Sequence, residues 1–159
     1  MNIYYSIIKK KKDKSETEEA RDLLKRMLDS LGLDYPEIII SEYGKPYFKD
    51  SNIYFNYSHS KNYLACVISN CEVGIDIEEI NSIVSDDIAN RYLDGIIDND
   101  KRLEAWVKKE SFSKLNGLGF GINLQDIILD QINKPNLLIK EEEYICSIYS
   151  DKEGTFIRL

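Results

Sequence analysis

Val73-Gly74-Ile75-Asp76-Ile77-Glu78-Glu79 combines a strand-like pattern with two closely spaced acids. Side chains on a strand alternate between its faces, so Ile75 and Ile77 point into a core while Asp76 and Glu78 share the opposite face. Two carboxylates held this close repel each other unless a cation or a proton lies between them. The stretch is therefore either half of a Mg²⁺ site, since Mg²⁺ prefers oxygen ligands, or a half-buried strand with a solvated acidic face.

The composition is that of a globular protein. The chain has 159 residues, enough for one domain, and its net charge of −7 argues against general nucleic-acid binding. No apolar run approaches the roughly 20 residues of a membrane helix. The N-terminal segment is too short and too polar for a signal peptide, so we expect a cytoplasmic protein that makes no membrane contact. The cysteines, odd in number, favour neither a disulfide framework nor a zinc site.

The order of patterns predicts an α+β fold. Ser15-Glu16-Thr17-Glu18 has the form of a capping box ahead of an amphipathic helix that ends near Gly32. A second helix is expected after Ser85. The segment Asn56–Ser60 favours neither a helix nor a strand. Strands are predicted over residues 3–8, 37–41, 63–69, 72–78, 126–129, 137–140, 143–150 and 155–159, with 63–69 and 72–78 paired as a hairpin.

A third helix, predicted to begin at Asp98 or Asn99, changes character along its inner face. An apolar stripe of Leu103, Trp106 and Val107 is followed at the same spacing by Glu110, Ser111 and Lys114. Such a local break in a consistent pattern is typical of a functional site. A Glu–Lys pair four residues apart is often only a surface ion pair, but this pair lies on the buried side.

Several cations accompany these acids. His59, the only histidine, is flanked by Ser58 and Ser60, and is either solvated in a loop or part of a phosphate pocket. The lysine run at residues 9–12 is either a solvated loop or a contact for an anion. Three carboxylates with Lys114, His59 and Lys45 suit a magnesium-bound polyphosphate. The bend Gly117-Leu118-Gly119 does not have the form of a P-loop.

Four short motifs occur in order between residues 44 and 114. They are Gly44-Lys45-Pro46, Phe55-Asn56-Tyr57-Ser58-His59-Ser60, Gly74-Ile75-Asp76-Ile77-Glu78 and Trp106-Val107-Lys108-Lys109-Glu110-Ser111-Phe112-Ser113-Lys114. Each motif is weak alone, but in this order they resemble the surfactin-synthetase-activating type of 4′-phosphopantetheinyl transferases, with this chain a short member. The holo-acyl-carrier-protein synthases resemble the chain less well, because they lack the first two motifs.

The resemblance implies a fold of two similar α+β halves related by a pseudo-twofold axis. We expect a single domain over residues 1–159, with halves of roughly 1–72 and 73–159. The resemblance also implies transfer of 4′-phosphopantetheine from coenzyme A to a serine of an apo acyl or peptidyl carrier protein. The carrier would serve fatty acid, polyketide or nonribosomal peptide synthesis. Because the chain carries both halves, we expect a monomer.

The resemblance assigns roles by position. Asp76, Glu78 and Glu110 would hold Mg²⁺ on the coenzyme A pyrophosphate. Glu110 would also be the general base for the carrier serine, and Lys114 would stabilise the leaving phosphate.

Coenzyme A phosphates would be bound by residues from three other segments. These are Lys45, Ser58 and His59, together with Arg21 on the capped helix. Arg21 is the best match for the basic residues that longer relatives supply to the 3′-phosphate ahead of Gly44. Leu118 occupies a position where relatives often carry a basic residue.

Two other functions remain open. A degenerate relative would bind coenzyme A or a carrier protein without turnover, which the shortened region before Gly44 favours. A different magnesium enzyme, such as a phosphodiesterase or nuclease, fits the acids but not the acidic net charge or the lack of a basic aromatic groove.

Overall fold

The computed structural model describes residues 1–11, 13–117 and 123–159, and in them the chain forms three α-helices and nine strands. The predicted α+β class is confirmed. No helix in the described part is long and apolar enough to cross a membrane. In chain order the elements are β1 (Asn2–Lys9), α1 (Glu16–Ser30), β2 (Ile38–Ile40), β3 (Pro46–Phe48), β4 (Tyr54–His59), β5 (Tyr63–Ser69), β6 (Val73–Glu79), α2 (Asp86–Tyr92), α3 (Asn99–Leu115), β7 (Asn136–Lys140), β8 (Tyr144–Ser150) and β9 (Thr155–Arg158).

The strands form two larger sheets and one small hairpin. The first sheet has the order β4-β5-β1-β9, the second has the order β6-β8-β7, and β2 pairs with β3. The change of sheet falls between β5 and β6, but β9 returns to the first sheet and runs parallel to β1. A pseudo-twofold relation between residues 1–72 and 73–159 stays a prediction.

Two hydrophobic cores flank the first sheet. Between the two larger sheets, buried side chains of β1, β5, β6 and β8 pack together, among them Ile3, Val67, Ile75, Ile77 and Ile148. On the other face of the first sheet lies α1, whose buried Ala20, Leu23, Leu24, Met27 and Leu28 follow the predicted helical spacing.

The helix ends follow the capping signals of the sequence. The capping box of Ser15 and Glu18 is formed at the start of α1, and Gly32 follows the helix with a positive φ of 66°. Ser85 caps α2, and Asp98, one of the two predicted caps, begins α3.

The predicted hairpin of residues 63–69 with 72–78 is wrong. Both edges of β5 are already taken, by β1 on one side and β4 on the other. The chain therefore crosses to the second sheet, where β6 pairs antiparallel with β8 and Asp76 lies opposite Ser147. The tight turn at Asn70-Cys71 connects two sheets rather than two neighbouring strands.

Two further predictions need correction. Asn56–Ser60 was expected to form no element, but β4 includes it up to His59, because its polar side chains find partners on β6. The strand predicted at 126–129 is absent from the described residues, which form short 3₁₀ turns at Leu124–Asp126 and Leu129–Gln131. The predicted bend beginning at Gly117 continues into Leu118 and Gly119, which lie outside the described residues.

Candidate active site

Strand β6 and helix α3 approach each other more closely than most strands and helices do. A Cβ atom added at Gly74 would lie 2.1 Å from the Ser111 carbonyl oxygen and 2.3 Å from the Leu115 nitrogen. Glycine in the interior of a strand is typical of such a close backbone approach. The packing brings the acidic face of β6 against the α3 face that carries Glu110 and Lys114.

A compact polar cluster lies at this contact. Asp76, only 5% exposed, accepts hydrogen bonds at Oδ1 from Ser58 Oγ at 2.8 Å and from Lys114 Nζ at 2.6 Å. Lys114 Nζ also lies 3.0 Å from Ser58 Oγ. One residue each from β4, β6 and α3 thus meets at a single carboxylate oxygen.

Glu78 and Glu110 complete the acidic group. Burial, followed by the charge of Asp76, raises the pKa of Glu78 to about 7, and Glu110 contributes a smaller rise. Burial and the charge of Asp76 also raise the pKa of Glu110, against the opposing effect of Lys114. The three predicted carboxylates are therefore close enough to repel one another and to share Lys114 as a counter-charge.

The donor set suits Mg²⁺. Carboxylate oxygens are the hard ligands that Mg²⁺ prefers, and the buried Oδ2 of Asp76 makes no hydrogen bond to any described residue. Within the described ranges, however, no three His, Cys, Asp or Glu side chains are close enough to hold a metal ion as they stand. In this arrangement the ammonium group of Lys114 supplies the positive charge at Asp76.

The free edge of β6 is held by side chains of β4. Asn56 Oδ1 accepts a hydrogen bond from the Ile75 backbone N–H at 3.0 Å, and Ser58 Oγ accepts one from Ile77 at 3.4 Å. These contacts join the two larger sheets beside Asp76. The role of Asn56 was missed in the sequence, because the polar residues of Asn56–Ser60 have poor strand propensity; the alternation of Asn56 with Phe55 and Tyr57 is the signal that could have found it.

A second set of buried polar contacts fixes α3 against β8, the neighbour of β6 in the second sheet. Ser111 Oγ lies 2.8 Å from Ser147 Oγ on β8, which also accepts a hydrogen bond from Asn136 Nδ2 at 2.9 Å. Ser111 and Ser147 are fully buried. Since Ser111 follows Glu110 directly, this contact sets how α3 presents its acid and its lysine to β6.

Lys45 lies at the far end of α3. Its Nζ donates to Glu72 Oε2 at 2.7 Å and to the Leu115 carbonyl at 3.2 Å, near the negative end of the helix dipole. A cavity of about 620 Å³ opens beside it, between the β3–β4 segment and the end of α3. Phe48, Phe55 and Asn116 are among its lining residues.

His59 lies on the opposite face of β4 from Ser58. Its Nε2 is 3.1 Å from Glu16 Oε2, at the first residue of α1. Lys10 also binds Glu16 and donates to the Ser60 carbonyl at 2.9 Å. In the sequence Glu16 is predicted only as part of the capping segment, and Lys10 as part of a lysine run that is either a solvated loop or a contact for an anion.

Arg21 is exposed on α1, and its positive charge opposes the effect of burial on the pKa of Tyr57 and of Tyr35. The structure thus brings Asp76, Glu78, Glu110, Lys114 and Ser58 into one cluster. Lys45, His59 and Arg21 each make their contacts in other places around it.

Comparisons with known proteins support the motif resemblance. No family model matches the chain. The 4′-phosphopantetheinyl transferase gsp of Aneurinibacillus migulanus is 35% identical over 113 residues, or 65% of this chain and 47% of that protein. The 4′-phosphopantetheinyl transferase Sfp of Bacillus subtilis (strain 168) is 35% identical over 106 residues, or 58% of this chain and 47% of that protein.

A third relative, the 4′-phosphopantetheinyl transferase psf-1 of Bacillus pumilus, is 30% identical over 118 residues, which cover 66% of this chain and 51% of that protein. The chain spans about half the length of the curated relatives it matches. The resemblance seen in the four motifs is confirmed: over about three fifths of its length, the chain is a sequence relative of the 4′-phosphopantetheinyl transferases.

Proposed function

We propose that this protein transfers 4′-phosphopantetheine from coenzyme A to a serine hydroxyl of an apo acyl or peptidyl carrier protein, releasing adenosine 3′,5′-bisphosphate. The observation that carries the proposal is the cluster of Asp76, Glu78, Glu110 and Lys114 at the β6–α3 contact. Two proteins with the transferase name are each 35% identical to this chain over more than 100 residues. Acids and a cation in one half-buried cluster suit a reaction at a charged diphosphate.

Asp76, Glu78 and Glu110 would hold Mg²⁺ in this reaction. The metal, when bound, would neutralise charge on the coenzyme A diphosphate so that an oxygen nucleophile can approach it. The unpartnered Oδ2 of Asp76 and the mutual repulsion of the three acids favour a cation at this position.

Glu110 would act as the general base. It is half-buried on α3 within reach of the charges of Asp76 and Lys114, and a carboxylate positioned there can accept the serine proton. The carrier serine oxygen would form a bond to the phosphorus that bears the pantetheine arm, while the bond from that phosphorus to the oxygen shared with adenosine bisphosphate breaks. The serine proton would pass to Glu110, and Lys114 would neutralise the departing phosphate.

The cations around the cluster would bind coenzyme A. Lys45 lies beside the cavity of about 620 Å³. His59 lies at the end of β4, in contact with Glu16. Ser58 would contact coenzyme A from within the acidic cluster, through the hydroxyl that now contacts Asp76 and Lys114. Arg21, exposed on α1, would meet the 3′-phosphate as the basic residue nearest in position to those of longer relatives.

A second candidate is a relative that binds coenzyme A or a carrier protein without turnover. The direct pairing of Lys114 with Asp76 favours it, since a permanent ammonium group at that oxygen would compete with a metal. The two candidates differ in whether a carrier protein changes mass.

The test is a transfer assay read by mass spectrometry. The protein is incubated with coenzyme A, Mg²⁺ and several apo carrier proteins, and each carrier is weighed. We expect one carrier to gain a single phosphopantetheine. Asp76→Ala should lower the rate at least about a hundredfold, because it removes a central charged ligand. Asp130→Ala, at an exposed aspartate, is the matched control and should retain activity.

Unmodified carriers, combined with calorimetric binding of coenzyme A, would favour the second candidate. Full activity of Asp76→Ala would show that the assignment of the carboxylates is wrong.

A further inference from the structure

Glu16 contacts a residue that the proposed function assigns to phosphate binding. Its Oε2 lies 3.1 Å from Nε2 of His59, and its Oε1 accepts a hydrogen bond from Lys10 Nζ. The two oxygens of one carboxylate therefore meet two different basic groups. A phosphate presents oxygens to basic side chains in a similar way, with more negative charge.

The two basic groups are held in place independently of Glu16. His59 is the last residue of β4, which pairs with β5 along its whole length. Lys10 donates to the Ser60 carbonyl at 2.9 Å, and its side chain is only 15% exposed. The Lys10 backbone N–H also donates to the Asn62 carbonyl at 2.8 Å. The β1–α1 loop is thus attached to the β4–β5 turn, beside His59.

Glu16 itself is the more replaceable partner. Its side chain is 48% exposed, on the first residue of a helix whose cap is formed by Ser15 and Glu18 without it. The hydrogen bond from Lys10, and then the charge of His59, lower the pKa of Glu16, so that it is an anion at neutral pH. A half-exposed ion pair contributes little to stability, so a ligand of higher charge can displace it.

We propose that Glu16 occupies the position of a ligand phosphate between His59 and Lys10, and that Lys10 is a further phosphate-binding residue of this site. The proposal rests on the proposed function, since coenzyme A is the ligand that supplies the phosphate. Glu16 then sets a minimum negative charge for a ligand at this site. A dianionic phosphate displaces Glu16, whereas a ligand that offers a single carboxylate binds no more favourably than the side chain already present.

The probe for the test is adenosine 3′,5′-bisphosphate, titrated calorimetrically at low ionic strength without a divalent metal. Glu16→Gln keeps the size of the side chain but removes the competing charge. We expect it to tighten binding by about two- to fivefold, the range that corresponds to one half-exposed ion pair. The gain should shrink as salt is added, because exposed charges are screened.

Glu18→Gln is the matched control. It makes the same change of charge in the same helical turn, but Glu18 contacts Ser15 rather than His59, and glutamine also completes a capping box. We expect Glu18→Gln to bind the probe as the wild type does. In a Lys10→Ala/His59→Ala background, Glu16→Gln should no longer tighten binding.

Equal affinities of Glu16→Gln and Glu18→Gln, including no detectable binding by either, would overturn the proposal. So would a gain for Glu16→Gln that persists when both Lys10 and His59 are replaced. The carrier assay separates this result from the proposed function. Transfer with equal affinities would reject only the role of Glu16, and tighter binding without transfer would reject only the transferase activity.

Discussion

Glu78 keeps its proton up to a higher pH than an ordinary surface glutamate does. Burial and the neighbouring charge of Asp76 raise its pKa to about 7, from an ordinary value of 4.5. The cost of ionising Glu78 in the folded protein is what the proposed cation site would produce when no cation is bound. A residue kept this way is more typical of function than of stability.

The raised pKa makes the stability of the protein depend on pH. Between about pH 4.5 and 7 the folded protein keeps a proton on Glu78 that the unfolded chain has lost. The free energy of unfolding therefore falls as pH rises through this window. Glu78→Gln removes this effect, so we expect the variant to be more stable than the wild type by roughly 1–2 kcal/mol above pH 7, after allowance for partial exposure.

Urea unfolding at pH 4.5, 6 and 8 measures this difference. It should be near zero at the lowest pH and should grow up to about pH 7. Glu153→Gln, at an exposed glutamate before β9, is the control and should show no such growth. A difference between Glu78→Gln and the wild type that is the same at all three pH values would contradict the prediction.

At the scale of elements, the site depends on the contact of β6 with α3. Gly74 allows that contact, because any side chain there would meet the backbone of Ser111 and Leu115, which cannot rotate away. The same face of the helix is also fixed by the buried Ser111–Ser147 contact, because β8 lies beside β6 in the second sheet. The acids of the strand and the charges of the helix can therefore meet only at this spacing.

We expect Gly74→Ala to lower the free energy of unfolding by about 3 kcal/mol or more, because the new Cβ forces backbone atoms apart. It should also abolish carrier modification by moving Lys114 away from Asp76. Thermal and urea unfolding measure the first effect, and mass spectrometry measures the second.

Gly32→Ala is the control for Gly74→Ala. Gly32 has a positive φ, but nothing lies within 4 Å of an added Cβ. It should cost only about 1 kcal/mol from backbone strain and should leave the transfer activity unchanged. If both variants lost the same stability, the close packing of α3 on β6 would not be the cause.

The sequence predicted these elements better than their pairing. Periodicity correctly places Asp76 and Glu78 on one face of β6, and Glu110 and Lys114 on the inner side of α3, because both patterns are local. The pairing of strands is not a local property. The residues of β5 taken alone are compatible with a hairpin between β5 and β6. Its partners β1 and β4 are chosen by the packing of α1 and the second sheet, which no short stretch encodes.

The polar strand β4 was also hard to predict, because its side-chain partners are distant in the sequence. Asn56 and Ser58 have low strand propensity, since their side chains compete for backbone hydrogen bonds. In the folded chain they find those hydrogen bonds on β6 instead. The pairing of His59 with Glu16 was likewise hidden, because it joins a strand end to a helix start 43 residues apart in sequence.

At the scale of the whole molecule, the site lies where two sheets are joined. β4 belongs to the first sheet and β6 to the second, and no ladder of hydrogen bonds connects them in the described part. Asn56 and Ser58 make the connection with side chains, and β9 returns from the second sheet to pair with β1. The cluster around Asp76 therefore forms only when both sheets are folded and docked.

This arrangement predicts that the protein unfolds as one unit. Urea unfolding followed by the fluorescence of Trp106, the single tryptophan, on α3, should coincide with unfolding followed by far-ultraviolet circular dichroism.

Asn56→Ala should lower the free energy of unfolding by about 1–3 kcal/mol, because it leaves the buried Ile75 N–H without its acceptor, and should shift both signals together. Asn52→Ala, at an exposed asparagine, should shift neither. Separate midpoints for the two signals in the wild type would mean that the sheets fold independently. The site would then be assembled only after each sheet has folded.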